Sequence, residues 1–197
     1  SFMNLPPHHV RRSEIVDFET YTDQRDHERQ TAMAIKAPRR VHLGDYLTFL
    51  FENHATIRYQ VQEMMRAEKI VRESAIEEEL TTYNELLGGV GQLGCALLIE
   101  IAAEADRKPL LTKWLGLQAH LYLVLSDGSR VYAEFDPAQV GDDRLSAVQY
   151  LTFSLDQVEP GGGPVAVGCD FSDLTDEIAL TAEQQSALAT DLAATRV

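Results

Sequence analysis

The apolar pattern changes period half-way along the chain, at Gly88-Gly89-Val90-Gly91, and this change limits the fold more than any other feature. Before the break apolar residues recur at helical spacing: Ile57, Val61 and Met64 in one stretch, then Ile76, Leu80, Tyr83 and Leu87 in the next. After it they come in short runs, as in Leu97-Leu98-Ile99, His120 to Leu125, Arg130 to Phe135, Tyr150 to Leu155 and Val165 to Cys169. Helical spacing buries one stripe, and short runs bury the faces of strands. Helices first and hairpin-joined strands afterwards predict an α+β fold, with N-terminal helices packed on a mostly antiparallel sheet formed largely by the second half.

Local signals divide the chain further. Ser1-Phe2 ahead of Met3 reads as an expression scar, and residues 1–12, with Pro6-Pro7 and His8-His9, read as a flexible arm on which both histidines are solvated. Residues 13–197 read as a single α+β domain, long enough to bury a core without metal or disulfide staples. Arg39 to Leu43 and Tyr46 to Phe51 flank Gly44-Asp45 as a hairpin. Asn53 is placed to cap a long helix from about His54 to Arg72, and Ser74 with Glu77 has capping-box spacing for the helix after it. Ser126-Asp127-Gly128-Ser129 joins two strands, and Thr181 with Gln184 opens a last helix. Pro160-Gly161-Gly162-Gly163-Pro164 is a turn, because no Lys-Ser/Thr follows it as in a phosphate loop.

Charge removes several classes of function. Seventeen basic against thirty-one acidic residues give a formal net charge of −14. From Glu134 onward twelve acids face two bases, a balance of −10, whereas residues 1–133 carry nineteen acids and fifteen bases, a balance of −4. Nucleic-acid binding draws on cations that displace phosphate counterions, and anionic membranes attract basic segments, so neither partner is expected. The acidic last third can draw a basic protein; the plainer reading is a solvated, self-repelling surface. No apolar run is long enough for a membrane span, and a cytoplasmic location is expected. Cys95 and Cys169 form no CxxC or zinc pattern and have no neighbouring charge that would mark a reactive thiolate. No cofactor is indicated.

Chemistry concentrates on carboxylates around the long helix. On a helical wheel Glu68 falls between Ile57 and Val61, on the face expected to be buried, where a carboxylate must be paired, hydrogen-bonded, metal-bound or protonated. Thr56, Gln60, Glu63 and Ala67 share a second face able to line a polar pocket. Glu52 and Asn53 precede the helix, and Glu100 interrupts an apolar strand. In the structural reading Glu52, Glu68 and Glu100 meet Arg39, Arg40 or Arg66 in internal ion pairs, with Glu68 near Arg39 or Arg40. In the functional reading two or three carboxylates, Glu52, Glu63 and Glu68 if a metal is involved, converge on a ligand or act as acid and base. Di-metal carboxylate bundles place a histidine three residues after a glutamate; here those positions hold Ala55, Arg66 and Val71, which counts against metal. His42, His54 and His120 read as structural.

Arg39-Arg40-Val41, the block Phe49-Leu50-Phe51-Glu52-Asn53 with Thr56, Tyr59-Gln60 and Gln62-Glu63-Met64, then Glu68, Glu79-Leu80 and Tyr83-Asn84, resemble an uncharacterised bacterial family, domain of unknown function 3501. The likeness runs on through Ile99-Glu100, Gly116, Ser126-Asp127-Gly128 and Ser146-Ala147-Val148 with Leu151, from about Arg11 to Asp170. The family has no established activity. The resemblance implies a setting instead: such proteins are often encoded beside rubrerythrin-like and iron–sulfur oxidoreductase-like proteins. The expectation is an accessory or ligand-binding protein, linked to redox or peroxide defence beside an iron-dependent partner. The alternative is an enzyme with a carboxylate-lined, possible metal-binding pocket.

Overall fold

The structure is a computed structural model and describes residues 4–197, so the scar at Ser1-Phe2 lies outside the described residues. Strands β1 (Arg40–Leu43) and β2 (Leu47–Glu52) form the hairpin across Gly44, whose φ of +61° suits glycine. β3 (Gln92–Ile99) and β6 (Val148–Ser154) extend it into a four-stranded sheet ordered β1-β2-β3-β6. β4 (Leu121–Val124), β5 (Arg130–Tyr132), β7 (Ala166–Cys169) and β8 (Asp176–Ala179) make a second sheet, ordered β5-β4-β7-β8. Every pairing within the sheets is antiparallel. The fold is α+β as the sequence predicts, with the strands divided between two sheets. The main core contains Phe49, Leu97 and Phe153 from the first and Leu121, Leu123 and Val167 from the second. Trp114, which follows α4 (Glu104–Lys113), and Leu188 and Leu192 of α5 (Ala182–Ala194) join that core.

The N-terminal helices make a second layer. α1 (Phe18–Lys36) packs on α2 (His54–Glu68), and α2 on α3 (Glu73–Glu85). Ile57, Val61 and Met65 of α2 meet Ile76 and Leu80 of α3 in one cluster with Val10, Ile15 and Leu87. The buried row is therefore Ile57-Val61-Met65, at i, i+4, i+8, and Met64 is only half-buried. Each large apolar side chain buried this way stabilises the fold by roughly 1.5–3 kcal/mol.

Helix α2 stops sooner than expected, and the stop relocates Glu68. Lys69 takes a left-handed conformation (φ 51°), its N–H reaches the Arg66 carbonyl at 3.3 Å, and the Ile70 N–H turns back to the Met65 carbonyl at 2.9 Å. This double closure satisfies the last carbonyls and folds Ile70 against the Met65 cluster. Glu68 keeps its angular position, but it sits on the last turn, past the side chains that cover that face. It is exposed, as is Val71, and it is not buried beside Arg39 or Arg40. α3 likewise begins one residue before Ser74, with Arg72 preceding it and no side-chain cap.

The N-terminal stretch, expected to be a flexible arm, lies against the body. The Asn84 side chain bonds both main-chain groups of Val10, Oδ1 to the N–H at 2.8 Å and Nδ2 to the carbonyl at 3.0 Å. Gln62 does the same for Val16, at 2.8 and 3.0 Å. A peptide group held off water must find partners elsewhere, and here two amide side chains serve in place of a neighbouring strand. His8 is buried, not solvated.

Relief of the backbone strain at Lys69 is a direct test of the α2 ending. Lys69→Gly is expected to raise unfolding stability by about 0.5–1 kcal/mol in urea denaturation, whereas a loss would place the end of the helix elsewhere.

Candidate functional site

The junction between β2 and α2 builds the site. Asn53 Oδ1 accepts the Thr56 N–H at 3.0 Å, and Thr56 Oγ1 accepts the Asn53 N–H at 2.9 Å, a reciprocal cap that starts the helix where the strand ends. The Thr56 hydroxyl then donates to Glu52 Oε2 at 2.5 Å. Across the ladder Glu52 faces Gly94. A β-carbon at Gly94 would overlap the Leu86 carbonyl, so only glycine lets the chain leaving α3 cross the sheet this closely.

The C-terminal helix reaches the same junction through an ion pair. Arg39 holds Asp191 of α5 with two bonds, Nε to Oδ2 at 2.7 Å and Nη2 to Oδ1 at 2.9 Å, while Nη1 donates to the Ile35 carbonyl at 2.8 Å. Asn53 Nδ2 adds a bond to Asp191 Oδ1 at 3.1 Å. The two charged side chains are only 11% and 8% exposed. The planar guanidinium fork meets the carboxylate with two parallel bonds, which fixes the geometry as well as adding energy.

Between these elements lies a cavity of about 390 Å³, whose lining includes His8, Glu52, Asn53, Leu87, Gly94 and Asp191. Its size is within the range of small-molecule sites. Burial pushes the Glu52 carboxyl above the usual carboxylate range, with the Thr56 hydroxyl and the Lys36 ammonium pulling the other way. His8 is 7% exposed, and neither ring nitrogen completes a hydrogen bond. Burial holds its pKa below the ordinary 6.5; repulsion from His9 and His54 acts in the same sense, against a weaker pull from the Leu87 and Gly88 carbonyls. A larger hollow of about 590 Å³ lies under the glycine-rich loop, but its charged lining residues, Asp127 and Glu159, are exposed.

The other candidate residues lie elsewhere. Glu63 does not face this cavity: it takes a bidentate pair from Arg25 of α1, both bonds 2.9 Å, and the Tyr21 hydroxyl at 2.6 Å. Arg25 in particular holds its carboxyl down to about 2. Gln60 is half-buried on the same helix. Exposed Glu100 accepts the Thr48 hydroxyl, which also meets His42 Nδ1 at 2.8 Å, at the opposite end of β2. Arg40 is exposed, its carbonyl taking Gln184. Glu52, Glu63 and Glu68 therefore do not converge, and among the described residues no three His, Cys, Asp or Glu side chains are placed to hold a metal. Of the expected set, the structure brings together Arg39, Glu52, Asn53 and Thr56. It adds Asp191 and His8, which carry no sequence signal beyond an acid in a helix that also holds Leu188 and Leu192 and a histidine after two prolines.

A family profile described as "Protein of unknown function (DUF3501)" matches residues 9–192. The chain belongs to this family. The match spans Arg39, Glu52, Asn53, Thr56, Leu87, Gly94 and Asp191 but not His8. A crystal structure of a protein of unknown function from Burkholderia pseudomallei is similar at 31% identity and a TM-score of 0.85, covering 93% of this chain and 98% of that one. No curated protein shows a significant match.

The two carboxylates now have opposite expected behaviour. Asp191→Asn strands the Arg39 charge in a buried place and should cost about 3–5 kcal/mol in denaturant unfolding. Glu68→Gln, on the exposed last turn, should change stability by no more than about 0.5 kcal/mol. The reverse order would contradict the placement of both.

Proposed function

We propose that the chain is a cytoplasmic small-molecule-binding protein that acts as an accessory to an iron-dependent redox enzyme, with the His8–Glu52 cavity as its binding site. The observation that carries the binding half is His8. A buried imidazole with no hydrogen-bond partner is costly to leave unmade, and a bound molecule that completes it would recover that cost. Glu52 adds a carboxyl that burial has already raised above its usual range. Perturbed groups of this kind gather where ligands are bound or protons moved.

The redox half rests on the setting that the family resemblance implies, beside rubrerythrin-like and iron–sulfur oxidoreductase-like proteins. The state of the thiols bears on what part the chain itself could take in it. Cys95 and Cys169 are both free and buried, and burial pushes both thiols up, Cys95 well above its usual value. Reactive thiolates and cluster ligands need the opposite environment. In this reading electron transfer belongs to the partner. The enzyme reading has one observation in its favour, since a carboxyl with raised proton affinity in a cavity is what a general acid requires.

Affinity capture of the tagged chain from its native host, read by mass spectrometry and metal analysis, tests the accessory role. An iron protein recovered in fixed proportion is expected. Recovery of the chain alone, or with partners that hold no iron, would overturn the redox half and leave the binding half to its own test.

A further inference from the structure

Among the described lining residues, the charge left without an ion-pair partner is negative, on Glu52. Every nitrogen of the Arg39 guanidinium makes a bond, Nε and Nη2 to Asp191 and Nη1 to the Ile35 carbonyl. Both oxygens of Asp191 accept from Arg39, and Oδ1 also from Asn53 Nδ2, while the Asn53 side-chain Oδ1 accepts the Thr56 N–H. Gln92 donates to Ser154 and accepts from the Gly89 N–H, and Thr195 accepts from Gly91 and donates to Leu192. His54 is turned away to Glu14 at 2.8 Å. Among the groups left open are one oxygen of Glu52, an acceptor, the ring of His8, which when neutral offers one acceptor and one donor, the second N–H of Asn53 Nδ2 and the exposed Thr190 hydroxyl. No lining cation is free for an anion. Leu87, Leu93 and Ala194 supply apolar wall beside these groups.

We infer that the cavity takes a small aliphatic amine in its ammonium form, its N–H groups donating to Glu52 and His8 and its hydrocarbon part lying on Leu87, Leu93 and Ala194. This inference rests on the binding reading above and names the ligand class. An ammonium brings three donors and one positive charge, matching a site whose carboxylate, Glu52, has no ion-pair partner. Lys36, which faces Glu52 from α1, acts only at longer range and makes no ion pair or hydrogen bond with it. Asp191 is neutralised by Arg39, Cys95 from β3 is an uncharged thiol, and His8 and His54 are the remaining titratable groups of the lining. Acidification works against binding at two places: protons compete for the Glu52 carboxylate, and a protonated His8 would repel a cation.

The test compares n-butylamine, n-butanol and butyrate, nearly equal in shape and different in charge, by amide chemical-shift titration of the full chain. Butylamine is expected to bind at least about tenfold more tightly than either control, with shifts at Leu87, Leu93 and Ala194. Its affinity should fall as pH is lowered from about 8 to about 5. Glu52→Gln should remove most of the preference for the amine, and His8→Gln should weaken it less. If either variant fails to fold, the three-probe comparison on the parent chain still decides. Butanol or butyrate binding at these residues as tightly as the amine would overturn the amine class and leave a binding cavity. No shift at these residues with any of the three would overturn both.

Discussion

The Arg39–Asp191 pair is the joint on which the site depends. It fixes the last helix of the chain to the segment just before the first hairpin, and Asn53 ties the start of α2 to the same carboxylate. Burying two charges is expensive, and their attraction repays it only when the geometry is good and the remaining polar atoms are satisfied. Here the pairing is bidentate and the third guanidinium nitrogen is bonded too, so the arrangement meets that condition. Its contribution is mainly to specify how α5, the hairpin and α2 come together. In doing so it neutralises Asp191, leaving Glu52 as the charge without an ion-pair partner among the described lining residues.

A second constraint works from the other end of the chain. Before α1 the chain makes a short 3-10 helix at Arg12–Glu14, but Val10 and Val16 lie outside it, and their peptide groups depend on Asn84 and Gln62. His9 adds a bond to the Gly88 carbonyl at 2.7 Å. These contacts hold His8 against Leu87 and over the cavity. The terminal segment thereby supplies the site with its most unsatisfied group, although it contributes little to either sheet.

Much of the fold was legible because its signals are local. The hairpin at Gly44-Asp45, the Asn53 cap and the Thr181–Gln184 box each depend on neighbours within a few residues, and the structure shows all three. Glu68 was misplaced because a helical wheel carries angle but no length. A lysine forced into the left-handed region ended the helix where no glycine announced it. Asp191 was unreadable for a different reason: in an acidic last third it looks like one more solvated carboxylate, and its partner lies 152 positions away. β8 is not legible in the sequence because Asp176-Glu177-Ile178-Ala179 is an exposed edge strand without apolar alternation. His8 followed a proline pair that reads as unstructured, and nothing nearby in sequence indicates that Asn84 will hold its neighbour.

The central claim is that His8 is a docked, neutral and unsatisfied imidazole forming part of the binding cavity. Nitrogen-15 NMR of the histidine rings across a pH titration measures this directly. The account predicts that one ring, assigned to His8 by its loss in His8→Gln, titrates below the ordinary value of 6.5 and lacks the signature of a hydrogen-bonded nitrogen until ligand is added. A His8 ring that titrates at 6.5 or above like a solvated histidine, and does not respond to the docking contacts at Asn84, would contradict it.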